Sequence, residues 1–474
     1  MRSTRESAVI LADHVRSWAE AGRVVGAELM VLEDGELVVH EASGWSDRER
    51  GRELEKNSLY RVRSMTKPLV ATAIFKLAEA AELDLDDTVA RHLPAWDNPR
   101  SGAVTLRQLL HQVGGFEQSA WPQPLARYRS LRAAVDAMGE HGPQHPPGST
   151  YRYSDIGSAT LGAIIAERTG EPAERILSEW ICEPLEMRDS HFHFEVDAPW
   201  AARVNSTYRW TVASGRGVGG FERYWDPSRA QVVPFFRAAG GMYCSIRDYA
   251  RFLELWLGLG EWKGRRLISE ASARAALEPG PFGRYGMSWD LPTTARAGQL
   301  PWAFGHGGSD GTAALVVPER RLIALYFTQS RGRDLMYCFA MRAGDAFELP
   351  GPMPKWTELA RETELELVSL DAAQRRAIVG TYEFGGPDKR LEVFEVEGGV
   401  LQTWLRGEEV QLVPLSDRRF ALGWHRGGAG VELRCDDDVR LVFGLAGGQA
   451  ELMEIRREED VLATGTRVCR GSRG

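Results

Sequence analysis

Two pairs of strand-like segments stand far apart in the chain and read as the two halves of one sheet. Val24 to Leu32 and Glu36 to Ala42 lie on either side of the Glu33-Asp34-Gly35 turn, after a stretch from Ser7 to Ala21 whose apolar residues recur at helical spacing. Gly311 to Val317 and Leu322 to Thr328 flank Pro318-Glu319-Arg320, and Asp334 to Phe347 again has helical periodicity. These ends are expected to form one antiparallel sheet covered by the first and last helices. The sequence between them is helix-rich, with segments such as Leu69 to Ala81, Leu106 to Leu110, Leu131 to Met138 and Ile246 to Leu257, and predicts an all-helical subdomain. A cleft between sheet and subdomain is the expected seat of any chemistry.

Ser64-Met65-Thr66-Lys67 opens the first long apolar stretch of that insert, Pro68 to Phe75. A hydroxyl and an amine three residues apart on a helix share a face, so the amine can sit beside the hydroxyl and help remove its proton. With six lysines and 27 serines in the chain, chance predicts about a third of one such spacing. The duller interpretation is an N-cap serine with a solvated lysine one turn in. Two further stretches argue against it. Tyr151-Arg152-Tyr153-Ser154-Asp155-Ile156-Gly157 follows the Pro146-Pro147-Gly148 turn and precedes an apolar helical run, Ala159 to Ile165, which places a phenol on a loop suited to proton exchange. Phe304-Gly305-His306-Gly307-Gly308-Ser309-Asp310-Gly311 is glycine-rich, which lets a substrate approach the backbone and an amide bind an oxyanion.

Ser-x-x-Lys, then Tyr-x-Asp, then His-x-Gly, in this order, resembles the serine β-lactamase superfamily, whose branches include class C β-lactamases, D-alanyl-D-alanine peptidases, D-aminopeptidases and family VIII esterases. Tyr60 to Pro68, Thr105 to His111, Ala239-Gly240-Gly241-Met242 and Tyr285 to Trp289 look like family segments too, so the likeness runs from about residue 5 to about residue 348. It implies an α/β (α+β) fold: a β-lactamase/transpeptidase-like antiparallel sheet flanked by helices, plus the helical subdomain.

The chain has 474 residues, long enough for more than one core. A hydrolase-like domain over 1–349 is expected to give way, through a proline-rich linker and connecting segment over 350–377, to an all-β domain over 378–474. There the pattern turns to short strands punctuated by glycine: Gly380 to Glu383, Leu391 to Val396, Val400 to Leu405, Phe420 to Trp424, Val431 to Arg434, Val439 to Phe443 and Ala450 to Ile455. Such spacing implies a small barrel or sandwich. It resembles the lipocalin-like β-barrel appended to some superfamily members, either as a stabilising or dimerising appendage, which leaves a homo-oligomer open, or as a lid on the cleft.

A net charge of -8 gives no reason to expect nucleic acid as a partner, and no segment carries the roughly 18 apolar residues of a membrane span. The N-terminal residues lack the features of an export signal, and the five cysteines are odd in number and free of C-x-x-C pairs, so reduced thiols and a cytoplasmic location are expected. His191-Phe192-His193 reads as a strand face rather than a metal site, and the chemistry expected needs neither metal nor other cofactor.

The resemblance implies catalytic roles for Ser64, Lys67 and Tyr153. Ser64 attacks a carbonyl, its own N–H and that of Ser309 hold the oxyanion, and Tyr153 relays protons; whether Lys67 or Tyr153 is the formal base stays open. Lys67 needs burial or cationic neighbours to lower an ordinary pKa near 10.4. His306, Gly307, Gly308 and Asp155 are the expected substrate-binding residues. His306 stands where β-lactamases carry lysine, which weakens the case for a fixed cation there. Asp155 replaces the usual asparagine and can pair with Lys67, raising its pKa against the effect of burial. The substrate expected is a small carboxylic ester or amide. The alternatives are a D-stereospecific aminopeptidase or amidase, a weak β-lactamase, or a ligand-binding protein on the same fold.

Overall fold

The computed structural model describes residues 2–468 apart from 119, 214–218, 284, 293, 332–334, 351–369, 385–389, 397–398, 406–407, 415, 426–429, 434–438, 447–448 and 458–459. The chain divides into two compact units, Met1–Ser206 with Trp225–Gln329 and Phe339–Pro354, and Thr207–Tyr224 with Ser330–Cys338 and Lys355–Gly474. The residues of the proline-rich stretch from 351 to 369 lie outside the described set.

In the first unit, helix α1 (Thr4–Glu20) opens on a reciprocal cap: the Glu6 N–H donates to Ser3 Oγ, and Glu6 Oε2 accepts the Ser3 N–H at 2.9 Å. Its apolar stripe, Ala8, Leu11, Ala12, Val15 and Trp18, is buried. Strands β1 (Gly26–Glu33) and β2 (Glu36–Asp47) are joined through Asp34 and Gly35 at φ 54° and 80°, the paired positive angles of a two-residue hairpin turn. After β3 (Arg52–Glu53) come the helices α2 (Lys67–Glu79), α3 (Leu131–His141), α4 (Asp155–Thr169) and α5 (Ile246–Leu257), then strands β4 (Phe304–Gly307), β5 (Ala313–Val317) and β6 (Leu322–Thr328). The sheet runs β4-β5-β6-β1-β2-β3 and is antiparallel throughout, with Met30 of β1 opposite Leu325 of β6.

The two halves meet at the β1–β6 pairing as the pattern predicts. Both central strands are buried on both faces, which explains why they are apolar apart from Glu28 and the strand ends. On one face Trp18 of α1 meets Tyr326 edge-on with ring centroids 5.7 Å apart, and Phe339, on the helix Leu335–Ala346, stacks on Tyr326. On the other, Tyr249 and Phe252 of α5 lead into the helical core, and the Tyr249 ring packs edge-on against Phe327. The fold is thus of the β-lactamase/transpeptidase type, an antiparallel sheet with helices.

The second unit contains a closed barrel. Its strands are β7 (Gly380–Glu383), β8 (Arg390–Val396), β9 (Val400–Leu405), β10 (Glu408–Pro414), β11 (Arg419–His425), β12 (Gly430–Leu433), β13 (Val439–Ala446), β14 (Gln449–Arg457) and β15 (Asp460–Val468). Each pairs with its sequence neighbour from β7 to β11 and from β13 to β15; β7–β15 and β11–β13 pairings close eight antiparallel strands into a ring. Alternate residues Leu391 and Val393, Val410 and Leu412, Phe420 and Leu422, and Leu441 and Phe443 fill its core. The C-terminal half of β11 parts from β13 and pairs on that edge with β12, which in turn pairs with Thr207–Ala213. The segment from Thr207 to Phe236 includes two strands, Thr207–Ala213 and Gly219–Trp225.

Candidate active site

Ser64 does not lie on α2 itself. It occupies a 3-10 turn, Arg63–Thr66, that runs into α2 at Lys67, with Arg63 at φ 50° bending the chain just before the serine. Pro68 suits the start of α2, where its missing N–H costs nothing. The apolar residues behind it are buried, and Lys67, at 0% exposure, is carried into the core with them.

Three oxygens surround the Lys67 ammonium: Ser64 Oγ at 3.1 Å, Asp155 Oδ1 at 2.7 Å and the Ala239 carbonyl at 3.0 Å. Burial presses its pKa below that of a free lysine, and it outweighs the pull of Asp155 in the other direction. Burial also works against ionisation of Asp155, but Lys67 and Arg237 beside it, with Arg63 beyond, hold that carboxyl below the usual range. The opposition between burial and pairing is thus resolved in favour of burial at the amine.

Asp155 is the first residue of α4. The helix is capped by Ser154, whose Oγ accepts the Ile156 N–H at 3.1 Å. Gln112 pins the preceding residues, its carbonyl accepting the Arg152 N–H and its side chain accepting the Ser154 N–H, both at 2.8 Å. Tyr153 lies between those anchors. The face of its ring lies 4.8 Å from Lys67 Nζ, its edge meets Tyr285, and its centroid is 6.2 Å from the His306 ring.

Strand β4 brings in the third stretch. Gly308 fits against the backbone just before the nucleophile, since a Cβ there would overlap Val62 O and Thr312 Oγ1. Thr312 Oγ1 donates to Val62 O at 3.3 Å, and Arg63 Nε donates to Asp310 Oδ2 at 2.5 Å, which tie the turn after Gly307 to residues 62 and 63. Among the described residues, neither the Ser64 N–H nor the Ser309 N–H donates to a backbone carbonyl. His306 is 2% exposed: its Nδ1 donates to the Gly307 carbonyl at 2.8 Å, and its Nε2 lies 3.1 Å from the Tyr285 hydroxyl. Burial pushes the Tyr285 phenol well up, so it stays protonated and can donate to Nε2.

The structure therefore gathers Ser64, Lys67, Tyr153, Asp155 and His306 around one centre, with Gly307, Gly308 and Ser309 on the segment tied to residues 62 and 63. Sequence reasoning did not single out the Ala239 carbonyl, Tyr285, Arg63, Asp310 or Arg237. Ala239 and Tyr285 stood in recognisable family segments, but a carbonyl contact and a hydroxyl aimed at an imidazole leave no trace in residue order. An apolar cavity of about 340 Å³ lined by Trp256, Leu277, Trp302 and Phe304 is separate from this centre, and none of the three candidate catalytic side chains lines it. His191, weighed earlier as a ligand, stacks flat on Trp200 at 4.1 Å.

The sequence model of the family described as Beta-lactamase matches residues 11–340, which takes in every residue of the centre. The chain belongs to the Beta-lactamase family. Within it, the chain is 29% identical over 261 residues to esterase EstB of Burkholderia gladioli, an alignment covering 49% of this chain and 65% of EstB, slightly under two thirds of that relative. The octameric penicillin-binding protein homologue from Pyrococcus abyssi has the same fold at TM-score 0.59 and 19% identity, over 96% of this chain and 99% of that one. The D-amino acid amidase of Ochrobactrum anthropi SV3, solved with L-phenylalanine amide, superimposes at TM-score 0.56 and 24% identity over 72% of this chain and 98% of its own. Among the described residues, no helix of this Beta-lactamase family member is long and apolar enough to cross a membrane.

Proposed function

We propose that this protein is a serine hydrolase that cleaves a carboxylic ester or small amide through an acyl-enzyme on Ser64. The observation that carries the reading is the 3.1 Å approach of a fully buried Lys67 ammonium to Ser64 Oγ. An amine whose pKa is lowered by burial is neutral over a wider range of pH and can accept the serine proton. Ser64 Oγ bonds to the substrate carbonyl carbon as its proton passes to Lys67 or through Tyr153. The N–H groups of Ser64 and Ser309 receive the oxyanion. Collapse breaks the bond to the alcohol or amine, which leaves with the proton, and water then hydrolyses the acyl-serine by the reverse relay. Asp155 keeps the amine oriented. His306, held by Tyr285 and Gly307, stiffens the strand that Gly307, Gly308 and Ser309 extend.

The likeness to esterase EstB supports an ester as the first substrate to try. Purified protein should release p-nitrophenol from short-chain acyl esters, and Ser64→Ala should abolish the release; unchanged turnover in that variant refutes the reading. A panel of D-alanine amides, nitrocefin and short acyl esters separates esterase from amidase and β-lactamase. A fluorophosphonate should add mass to Ser64, and no labelling from neutral to alkaline pH would favour a binding protein.

A further inference from the structure

Positive charge gathers on one side of the proposed catalytic centre. Besides Lys67 there are Arg61, Arg63 and Arg237, close enough that Arg63 and Arg61 both act electrostatically on Arg237. Two of the arginines have settled partners. Arg63 is paired with Asp310, and Arg61 lies over the Trp225 ring at 4.8 Å. Among the described residues, the ion-pair partner of Arg237 is Asp155, whose Oδ2 stands 3.6 Å from Nη2, beyond hydrogen-bond distance, while Oδ1 of the same carboxylate is committed to Lys67 at 2.7 Å. Among the described residues, no hydrogen bond holds the Arg237 guanidinium.

The backbone that carries it is fixed. The Arg237 carbonyl accepts the N–H groups of Gly240 at 2.9 Å and Gly241 at 2.7 Å, forming the tight turn that aims the Ala239 carbonyl at Lys67. Ala238 packs against Gly162 of α4 so closely that a Cβ at 162 would collide with it. A guanidinium stays charged at any pH a protein tolerates, and partly burying it beside two other guanidiniums is unfavourable unless an anion offsets them. Asp155 is shared and Asp310 is already paired. In the third stretch, both nitrogens of His306 are engaged inside the protein, so the ring offers no free N–H to a substrate carboxylate.

We infer that Arg237 is the anchor for a carboxylate on the substrate, so that the preferred ester or amide carries a negative charge a short chain away from the scissile carbonyl. This rests on the hydrolase reading and adds the substrate's charge to it. The planar fork of an arginine matches a carboxylate through two parallel N–H···O bonds, and the partly exposed side chain leaves a face for them.

The test compares charged esters with neutral isosteres: 4-nitrophenyl hemiglutarate against 4-nitrophenyl valerate for a carboxylate on the acyl side, and 4-carboxyphenyl butyrate against 4-carbamoylphenyl butyrate for one on the leaving group. In at least one pair the wild type should favour the charged ester by about tenfold or more in kcat/KM, mainly through KM, with the preference shrinking as salt is added. Arg237→Gln should bring that ratio to within about twofold, and Arg237→Lys should restore part of it. Because the readout is a ratio, a general loss of activity does not mimic it. A ratio of one or less in both pairs, or a ratio that survives Arg237→Gln, overturns the inference. Calorimetric titration of Ser64→Ala with hemiglutarate reads binding without turnover: saturable binding lost in the Ser64→Ala, Arg237→Gln double variant upholds the anchor even if no ester is cleaved, whereas esters cleaved with no charge preference leave the hydrolase and remove the anchor.

Discussion

Replacing Gly308 by alanine tests whether the seat of the third stretch against residue 62 matters to the chemistry. A methyl group at this position would overlap both Val62 O and Thr312 Oγ1, and real Cβ atoms essentially never come within 3.0 Å of such neighbours. Val62 is backbone two residues before Ser64 and is tied to Met242 as well, its N–H donating to the Met242 carbonyl at 3.2 Å, so it cannot swing aside cheaply. The turn after β4 must instead recede, by on the order of 1 Å, and a misplacement of that size costs about a hundredfold in rate. Overpacking of this kind destabilises by about 1–3 kcal/mol, or roughly 1–5 °C in melting temperature for a unit of this size. The expected outcome is a folded protein whose kcat/KM for p-nitrophenyl butyrate, and whose rate of fluorophosphonate labelling, have both fallen about a hundredfold. Gly344→Ala is the control: nothing lies within 4 Å of a Cβ there, and alanine in a helix gains about 0.5–1 kcal/mol over glycine. If Gly308→Ala keeps its activity within about threefold of wild type, the seat does not position the oxyanion donors and the argument from close approach is wrong.

Asp155→Asn removes the charge that supports the protonated form of Lys67. The amine should then titrate at still lower pH and the acid limb of the kcat/KM profile should move down; a limb that stays put or moves up would show that neutral Lys67 is not the base. Tyr285→Phe deletes a hydrogen bond to the buried His306 imidazole and should cost about 1–3 kcal/mol in chemical denaturation, and an unchanged midpoint would place the hydroxyl elsewhere. Trp18→Ala empties the contact between α1 and Tyr326 and should destabilise the first unit by about 3–5 kcal/mol; a loss under 1 kcal/mol would mean the helix does not depend on that ring.

The sheet halves were legible because β1, β5 and β6 are buried on both faces and are therefore mostly apolar, Glu28 in β1 excepted. Ser64, Lys67 and Tyr153 were legible because a nucleophile, an amine and a phenol at family spacing are rare together. What stayed hidden depended on partners distant in sequence. Strands β10 and β15 were not distinguished: Glu408 and Glu409 open the first, and Thr464, Gly465 and Thr466 interrupt the second, so neither shows a clear apolar alternation. Thr207–Ala213 does alternate and pairs with the nearby Gly219–Trp225, but it also pairs with Gly430–Leu433 and Ser330–Arg331, and no local pattern announces pairing over such separations. Arg237 looked like any loop arginine until Asp155 was found beside it.

The parting of β11 has a consequence for anyone cutting the gene. A fragment beginning near residue 370 would hold all eight ring strands yet lack Thr207–Ala213, so the outer edge of β12 would face solvent with its amides and carbonyls unmatched. Exposed edges of this kind recruit other chains. Isolated production of the C-terminal piece should yield aggregates, and grafting the 207–213 strand onto its N-terminus through a flexible tether should return it to a monodisperse state.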